Sequence, residues 1–408
     1  MILKETLRQV VQSQRDTLQS LEYGVPREDL GQIDLTLPFA IFLTGIRRCG
    51  KSTLLHQLMR VEKHFSFFNF EDTRVTGFEV TDFPKLETVL AEEYGECDLY
   101  FFDEIQHALQ WEIFVRNLLD RQKHCIITGS NASLLSKDLG VHLTGRHLRH
   151  ELFPFSYNEM LAFRQVDPGL PSFDEYLVDG GFPEYLKYRK DDILQELLVD
   201  ILERDIILRH QLRSTKTIKE MALYLLGNIG NEFSYTNLKK TFNLGSVNSA
   251  ISYVSYFEDS YLLFSVPKFD YSYRKQVVNP KKIYSIDNGL TNVNSVSFSA
   301  DNGRMLENLV FGHLRRQFQD IFYFKGRGEC DFVVKVEKDI ILAIQVCYEL
   351  TDDNTIREVE GLLEVLNTFG LPEGLILTHA QEDTISRGGK NIRVTPVWRW
   401  FIESSTAK

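Results

Sequence analysis

The sequence predicts an α/β protein: a P-loop parallel-sheet core at the N-terminal end, then a helical stretch, a winged helix-turn-helix and a second, smaller α/β domain. Three observations carry this expectation. Gly45-Ile46-Arg47-Arg48-Cys49-Gly50-Lys51-Ser52 is a complete GxxxxGK[S/T] loop between an apolar run and a helical one. Cys97-Asp98-Leu99-Tyr100-Phe101-Phe102-Asp103-Glu104 runs from a polar start through apolar and aromatic residues to two acids. Apolar runs alternate with helical patterns up to about Pro154, which implies βαβ units and a parallel sheet.

Taken in order, Leu3 to about Glu22 reads as a helical arm closed by Gly24-Val25-Pro26-Arg27, able to lie on the core or on a neighbouring subunit. Phe39-Ala40-Ile41-Phe42-Leu43 suits a buried strand, and Ser52 to Met59 suits a helix. Between them Gly45 and Gly50 let the backbone approach phosphates. The N–H groups of Ile46, Arg47, Arg48, Cys49 and Thr53, with the helix N-terminus, offer fixed positive dipoles. Lys51 would reach the β- and γ-phosphates of ATP, and the Ser52 hydroxyl would hold Mg²⁺. A buried strand ends in two carboxylates only where something cationic or aqueous waits. Asp103 would therefore hold Mg²⁺ through water, and Glu104 would polarise the attacking water. A third strand, Cys125-Ile126-Ile127-Thr128, ends in Gly129-Ser130-Asn131 at the ligand-binding edge of the same sheet. Ser130 or Asn131 would sense the γ-phosphate, or cap the helix that begins near Ala132.

Tyr157 to about Arg213 reads as helical, interrupted by Gly180-Gly181-Phe182-Pro183. Helices follow over Ile218 to Leu226, Ser234 to Lys240 and Ser246 to Phe257, the last with Val247, Ile251, Val254 and Phe257 on one face. Tyr261-Leu262-Leu263-Phe264 and a hairpin from Lys268 to Lys282 complete a winged helix-turn-helix. Its candidate DNA contacts are Asn248, Ser249, Ser252 and Ser255 on the third helix, with Lys239, Lys240, Arg274, Lys275, Lys281 and Lys282 on phosphates. Winged helices also dock proteins, and the third helix has no arginine. The domain boundaries expected are 1–155 for the nucleotide-binding core with its arm, 156–215 for the helical part, 216–292 for the winged helix and 293–408 for the last domain.

Composition narrows the class. In 408 residues, 43% are hydrophobic and 25% charged, enough for several cores. No apolar stretch approaches the roughly 20 residues of a membrane span, and the polar N-terminus does not read as a signal peptide, so a cytoplasmic protein is expected. Five cysteines without a CxxC argue against disulfides and structural zinc. Cys49 inside the loop is expected to make the site sensitive to alkylation or oxidation. A net charge of -11 argues against indiscriminate coating of nucleic acid, so any DNA contact is local.

The segments Asn69-Phe70-Glu71-Asp72-Thr73-Arg74, Phe102-Asp103-Glu104-Ile105-Gln106, Thr128-Gly129-Ser130-Asn131, Leu143-Thr144-Gly145-Arg146 and Leu152-Phe153-Pro154-Phe155-Ser156 span the core in a telling order. This set resembles the prokaryotic AAA+-type ATPases whose C-terminal half carries a PD-(D/E)xK nuclease-like domain. The resemblance implies ATP hydrolysis, a homo-oligomeric ring or partial ring, a helical lid over 156–215 and a link to DNA. It points to Arg146 as the arginine finger, with Arg149 and Arg204 in reserve. The bland alternative is a surface arginine paired with Glu151 or Asp205. It also aligns Glu307, Asp331 and Gln345-Val346-Cys347 with the nuclease-like motif. There Gln345 is a weak Mg²⁺ ligand and Cys347 cannot supply the motif's ammonium, so cleavage is expected to be lost, unless Glu349 replaces the missing carboxylate. Three functions follow: an oligomeric ATPase that binds or remodels DNA, branched DNA included; a nucleotide switch that regulates protein partners; or an active ATP-dependent nuclease.

Overall fold

The computed structural model describes residues 1–21, 23–129, 143, 145–295 and 301–406. The chain divides into two compact units, Met1–Phe153 and Pro154–Lys408.

The first unit holds a sheet of five parallel strands: β1 (Ala40–Gly45), β2 (Ser66–Asn69), β3 (Leu99–Asp103), β4 (His124–Thr128) and β5 (His147–Leu152). Their order is β2-β3-β4-β1-β5. β1 and β3 are buried along their whole length, as expected of central parallel strands covered on both faces. Helix α1 (Lys4–Ser20) settles the alternative left by the sequence. Leu7, Val10 and Val11 repeat at helical spacing and are fully buried against this unit's own core, while Lys4 and Arg8 pair with Glu92. Helix α2 (Lys51–Val61) continues from the glycine loop, and α3 (Phe83–Tyr94) and α4 (Trp111–Asp120) fill the core with aromatic contacts, Phe83 stacking on Phe114 at 4.3 Å. Because β4 lies between β1 and β3, with Leu43 opposite Thr128 and Phe102 opposite Ile127, the loop after β1, the acids after β3 and Thr128 meet at one carboxyl edge.

The second unit begins with helices Tyr157–Arg164, Leu170–Asp179, Pro183–Tyr188 and Asp191–Asp200, the last continuing into a π-helical segment, Ile201–Leu208. The Gly180-Gly181 break has a physical cause. Gly181 N–H donates to the buried Asp287 carboxylate at 2.6 Å, and a Cβ on Gly181 would lie 2.2 Å from the Phe155 carbonyl oxygen. Next come helix Thr215–Leu226, β6 (Glu232–Phe233), helices Tyr235–Thr241 and Val247–Asp259, β7 (Leu263–Pro267) and β8 (Lys281–Ser285), the strands forming an antiparallel sheet in the order β6-β8-β7. Two expectations need correction here. The stretch from Lys268 to Lys282 is not a plain hairpin: Asp270 accepts from the Ser272 N–H and starts a turn of helix, Tyr273–Val278, between the strands. Ile251 is 42% exposed, because the buried face of its helix is Ala250, Val254 and Phe257.

A mixed six-stranded sheet completes this unit: β9 (Asp320–Lys325), β10 (Glu329–Val336), β11 (Asp339–Val346), β12 (Glu373–Thr378), β13 (Asp383–Arg387) and β14 (Lys390–Pro396), in the order β13-β14-β12-β11-β10-β9. Helix Asn302–Arg315 precedes it, and helix Thr355–Phe369 lies over its central strands with Val359, Leu362, Val365 and Leu366 buried. Among the described residues no helix is long and apolar enough to cross a membrane.

Candidate nucleotide site

The loop after β1 needs its glycines. Gly45 has φ 145° and a Cβ there would lie 2.1 Å from the Leu152 carbonyl oxygen, while Gly50 has φ 101° and caps α2 in the left-handed region. That conformation opens the N-terminus of α2 toward the loop, which is the geometry of an anion site. Lys51 folds back over the loop, its Nζ donating to the carbonyls of Gly45 (3.1 Å) and Ile46 (2.9 Å). The ammonium is thus held against the backbone of the glycine loop. Arg48 is exposed and Arg47 half-buried, whereas Ile46 and Cys49 are fully buried. The expected reactivity of Cys49 is therefore corrected: core packing closes access to its thiol.

Asp103, at the end of β3, is 2% exposed and ringed by donors. Ser52 Oγ donates to its Oδ1 at 3.2 Å, Thr128 Oγ1 donates to the same oxygen in a short bond, and Asn69 Nδ2 reaches Oδ2 at 3.4 Å. Burial pushes this carboxyl up to about 6, and the Thr128 hydroxyl pulls it partly back. Thr128 does a second task, since its Oγ1 accepts from the Glu104 N–H at 2.9 Å. Glu104 itself sits in the left-handed region at φ 51°, and Gln106 Nε2 holds its Oε2 in a short hydrogen bond. Strain of this kind is kept where the surroundings over-determine it.

Of the residues expected here, Gly45, Gly50, Lys51, Ser52, Asp103 and Glu104 come together at one edge, with Thr53 in the first turn of α2. Ser130 and Asn131 lie outside the described residues. Thr128, Asn69, Gln106 and Arg27 have no role in the sequence reading. Asn69, Gln106 and Thr128 lie within the segments that carry the family resemblance, Thr128 as the last strand residue at the ligand edge, whereas Arg27 carries no local signal. Arg146 is exposed and paired with Asp120 rather than Glu151. Arg149 is exposed, and Arg204 pairs with Asp200 at 3.1 Å rather than with Asp205.

In the second unit, Lys239 and Lys240 fall in the last turn of helix Tyr235–Thr241. Asn248 is exposed at the start of the next helix, and Ser249 is engaged in its cap, its N–H donating to Ser246 Oγ at 3.1 Å. Arg274 and Lys275 lie on helix Tyr273–Val278, with Lys275 3.5 Å from Asp270. Lys281 is tied down by the Gln276 carbonyl at 3.0 Å. Lys282 cannot contact phosphate and is corrected to a buried role. Its Nζ lies 2.8 Å from Asp331, 3.0 Å from Glu329 and 3.2 Å from Glu307, so three carboxylates surround the three N–H donors of one ammonium. Burial alone would lower its pKa, but Asp331, Tyr284 and Glu307 together raise it. Tyr284 OH also donates to Glu307 at 2.6 Å, and burial pushes the Glu307 carboxyl up. Asp331 Oδ2 accepts from the Val346 N–H at 2.9 Å, and Gln345 Oε1 accepts from the Asp331 N–H at 3.2 Å. Gln345 Nε2 donates to Glu358 at 2.6 Å, so Glu358, not Glu349, is the carboxylate beside that position. Among the described residues no group of three or more His, Cys, Asp or Glu is arranged to hold a metal ion.

The chain is similar to several known proteins. Residues 38–161 match the AAA domain family, and residues 170–299 match a domain of unknown function, DUF8612. The uncharacterized protein MJ1544 of Methanocaldococcus jannaschii is 34% identical over 392 residues, covering 88% of this chain and 87% of that protein. An uncharacterized protein of Haemophilus influenzae is 28% identical, over 81% of this chain and 87% of its own length. Among solved structures, the Walker-type ATPase paby2304 of Pyrococcus abyssi has a TM-score of 0.42 at 16% identity, over 68% of this chain and 99% of that one. Cdc6p of Pyrobaculum aerophilum has a TM-score of 0.29 at 12% identity, over 72% and 98%.

Proposed function

This chain belongs to the family of the Methanocaldococcus jannaschii protein MJ1544 and carries a P-loop AAA-type ATPase module, and from that premise we propose that it is an oligomeric ATPase that uses ATP hydrolysis to bind or remodel DNA, branched DNA included. The observation that carries the reading is the convergence of the glycine loop, Ser52, Asp103, Thr128 and Glu104 at one sheet edge.

The residues fit ATP and Mg²⁺. Lys51 would exchange two neutral loop carbonyls for anionic β- and γ-phosphate oxygens, a gain because the ammonium then faces an opposite charge. Ser52 and Asp103, whose oxygens lie 3.2 Å apart, offer hard oxygen donors and would hold Mg²⁺, Asp103 through water. The bound ion supplies charge neutralisation at the phosphate oxygens. Glu104, once freed from Gln106, orients the attacking water and takes its proton; Thr128 fixes the backbone from which it reaches. Arg146, exposed near the end of the sheet, is the proposed finger onto a neighbouring subunit's γ-phosphate. Its surface partner Asp120 is easily released, since an exposed pair contributes little.

For DNA, the supporting feature is the order helix, strand, helix, helix, strand, short helix, strand from Thr215 to Ser285, which resembles a winged helix whose wing carries an inserted turn of helix. Lys239, Lys240, Asn248, Arg274 and Lys275 are its proposed contacts. The helix Asn302–Arg315 with β9 to β12 has the element order of a PD-(D/E)xK domain, and we read it as catalytically silent. The Lys282 ammonium fills the point where Glu307, Glu329 and Asp331 converge, and Gln345 spends its oxygen on Asp331 N–H. Incubation of the protein with DNA and Mg²⁺ or Mn²⁺ should leave the DNA intact; cleavage that disappears in Asp331→Ala would overturn that part. The ATPase itself is tested by phosphate release from ATP with Mg²⁺. Glu104→Gln should retain nucleotide and lose turnover by about 10²-fold or more, and an undiminished rate would refute the assignment.

A further inference from the structure

We propose that Arg27, from the segment ahead of the sheet, is a positioning residue for the phosphate loop: it sets the peptide plane that aims the Gly50 N–H at the nucleotide. The proposal rests on the nucleotide-site reading above. Arg27 is 3% exposed. Its Nη1 donates to the Cys49 carbonyl at 2.7 Å and its Nη2 to the Phe153 carbonyl at 2.7 Å. One planar fork therefore ties the loop to the chain just past the end of β5.

The consequence follows from peptide geometry. The carbonyl of Cys49 and the N–H of Gly50 belong to one trans, planar unit and point in opposite directions. Holding the oxygen back against a buried guanidinium sends the N–H forward, into the hollow that Lys51 now lines. An unanchored loop at Gly50, with φ 101° and no side chain, could rotate that plane freely, and binding would then carry the entropy of fixing it. The positive charge behind the peptide also polarises it, which strengthens the N–H as a donor.

Arg27 is in turn held from α2. Gln57 Oε1 accepts from the Arg27 N–H at 3.0 Å, and Gln57 Nε2 donates to the carbonyls of Tyr23 and Val25, each at 2.7 Å. Gln57 is 5% exposed and stands on the helix that begins at Lys51, so loop, helix and leading segment form one braced unit. A neutral or shorter side chain at position 27 cannot reach both carbonyls. Lysine would keep the charge and one bond but not the fork.

The test compares wild type, Arg27→Gln, Arg27→Lys, Arg27→Ala and Lys51→Ala in binding of a fluorescent ADP analogue, in KM and kcat for ATP, and in thermal melting. The expected result for folded Arg27→Gln is a rise of about tenfold or more in the ADP Kd and in the ATP KM, the worth of one charge-assisted contact. The fall in kcat should be smaller than the rise in KM, Arg27→Lys should lie between, and added ethylguanidinium should restore part of the affinity of Arg27→Ala. A purely structural arginine would lower the melting temperature and leave the ADP Kd of the folded fraction within twofold of wild type, and that overturns the proposal. So does failure of both Arg27→Gln and Arg27→Lys to fold, which would make Arg27 a residue of the fold. If wild type binds no more nucleotide than Lys51→Ala, the nucleotide-site reading itself fails and takes this proposal with it.

Discussion

Asp103 shows how one residue trades stability for function. Its carboxyl titrates at about 6 in the folded chain against an ordinary 3.8, so folding takes up a proton between those values. The favourable contribution is complete below pH 4 and is lost as pH rises through 6; above that, the ionised buried group costs about 3 kcal/mol. Asp103→Asn should therefore raise the melting temperature of the nucleotide-free protein at pH 7.5, with the gain vanishing near pH 4, while ATP hydrolysis is lost. Equal melting of the two proteins at pH 7.5 would contradict this. Lys282 makes the opposite case, a charge whose removal leaves three carboxylates facing one another. Lys282→Ala should destabilise the protein by about 3–5 kcal/mol in urea melts. Neutralising the acids with Glu307→Gln and Asp331→Asn in the same chain should recover most of that loss. A loss in Lys282→Ala below about 1 kcal/mol, the scale of a surface pair, would place the lysine outside the cluster. Neither residue's environment was equally readable: the acid ends an apolar strand, whereas Lys282 meets Glu307 and Asp331 across 25 and 49 residues of sequence.

Elements were legible where burial was uniform. The runs that form β1, β3 and β4 are legible to within two residues at each end because a strand covered on both faces must be apolar throughout. β5 carries no such mark, since His147 to Glu151 are only partly buried or exposed at the end of the sheet. The helix Tyr273–Val278 was missed for a similar reason: it is short and none of its residues is buried, so no periodicity betrays it. The Gly180-Gly181 interruption was seen, and the structure supplies its cause in the close approach to Phe155 and Asp287. Gly181→Ala would put a Cβ 2.2 Å from one backbone atom and 2.8 Å from another, neither able to yield cheaply. A destabilisation of about 2 kcal/mol or more by thermal or chemical melting is expected; a melt unchanged from wild type would mean that the turn relaxes.

At the scale of the whole molecule, the candidate nucleotide site lies in the first unit and the surfaces proposed for DNA in the second. The phosphate loop could be read directly because its residues are contiguous, while the supports found around it come from distant positions. Arg27 reaches a carbonyl 126 residues away, and Thr128 reaches Asp103 across 25. With a net charge of -11, the proposed DNA binding would rely on a local set of lysines and arginines, so its salt dependence should be modest. The most direct test of the central claim is steady-state ATP hydrolysis by the wild type and Glu104→Gln, each without DNA and with duplex, single-stranded and four-way-junction DNA at low and moderate salt. The account predicts that DNA raises the wild-type rate, that the best DNA names the target, and that Glu104→Gln is inactive throughout. A wild-type rate indifferent to every DNA, with Glu104→Gln still inactive, would contradict it and mark the protein as an ATPase whose partner is another protein.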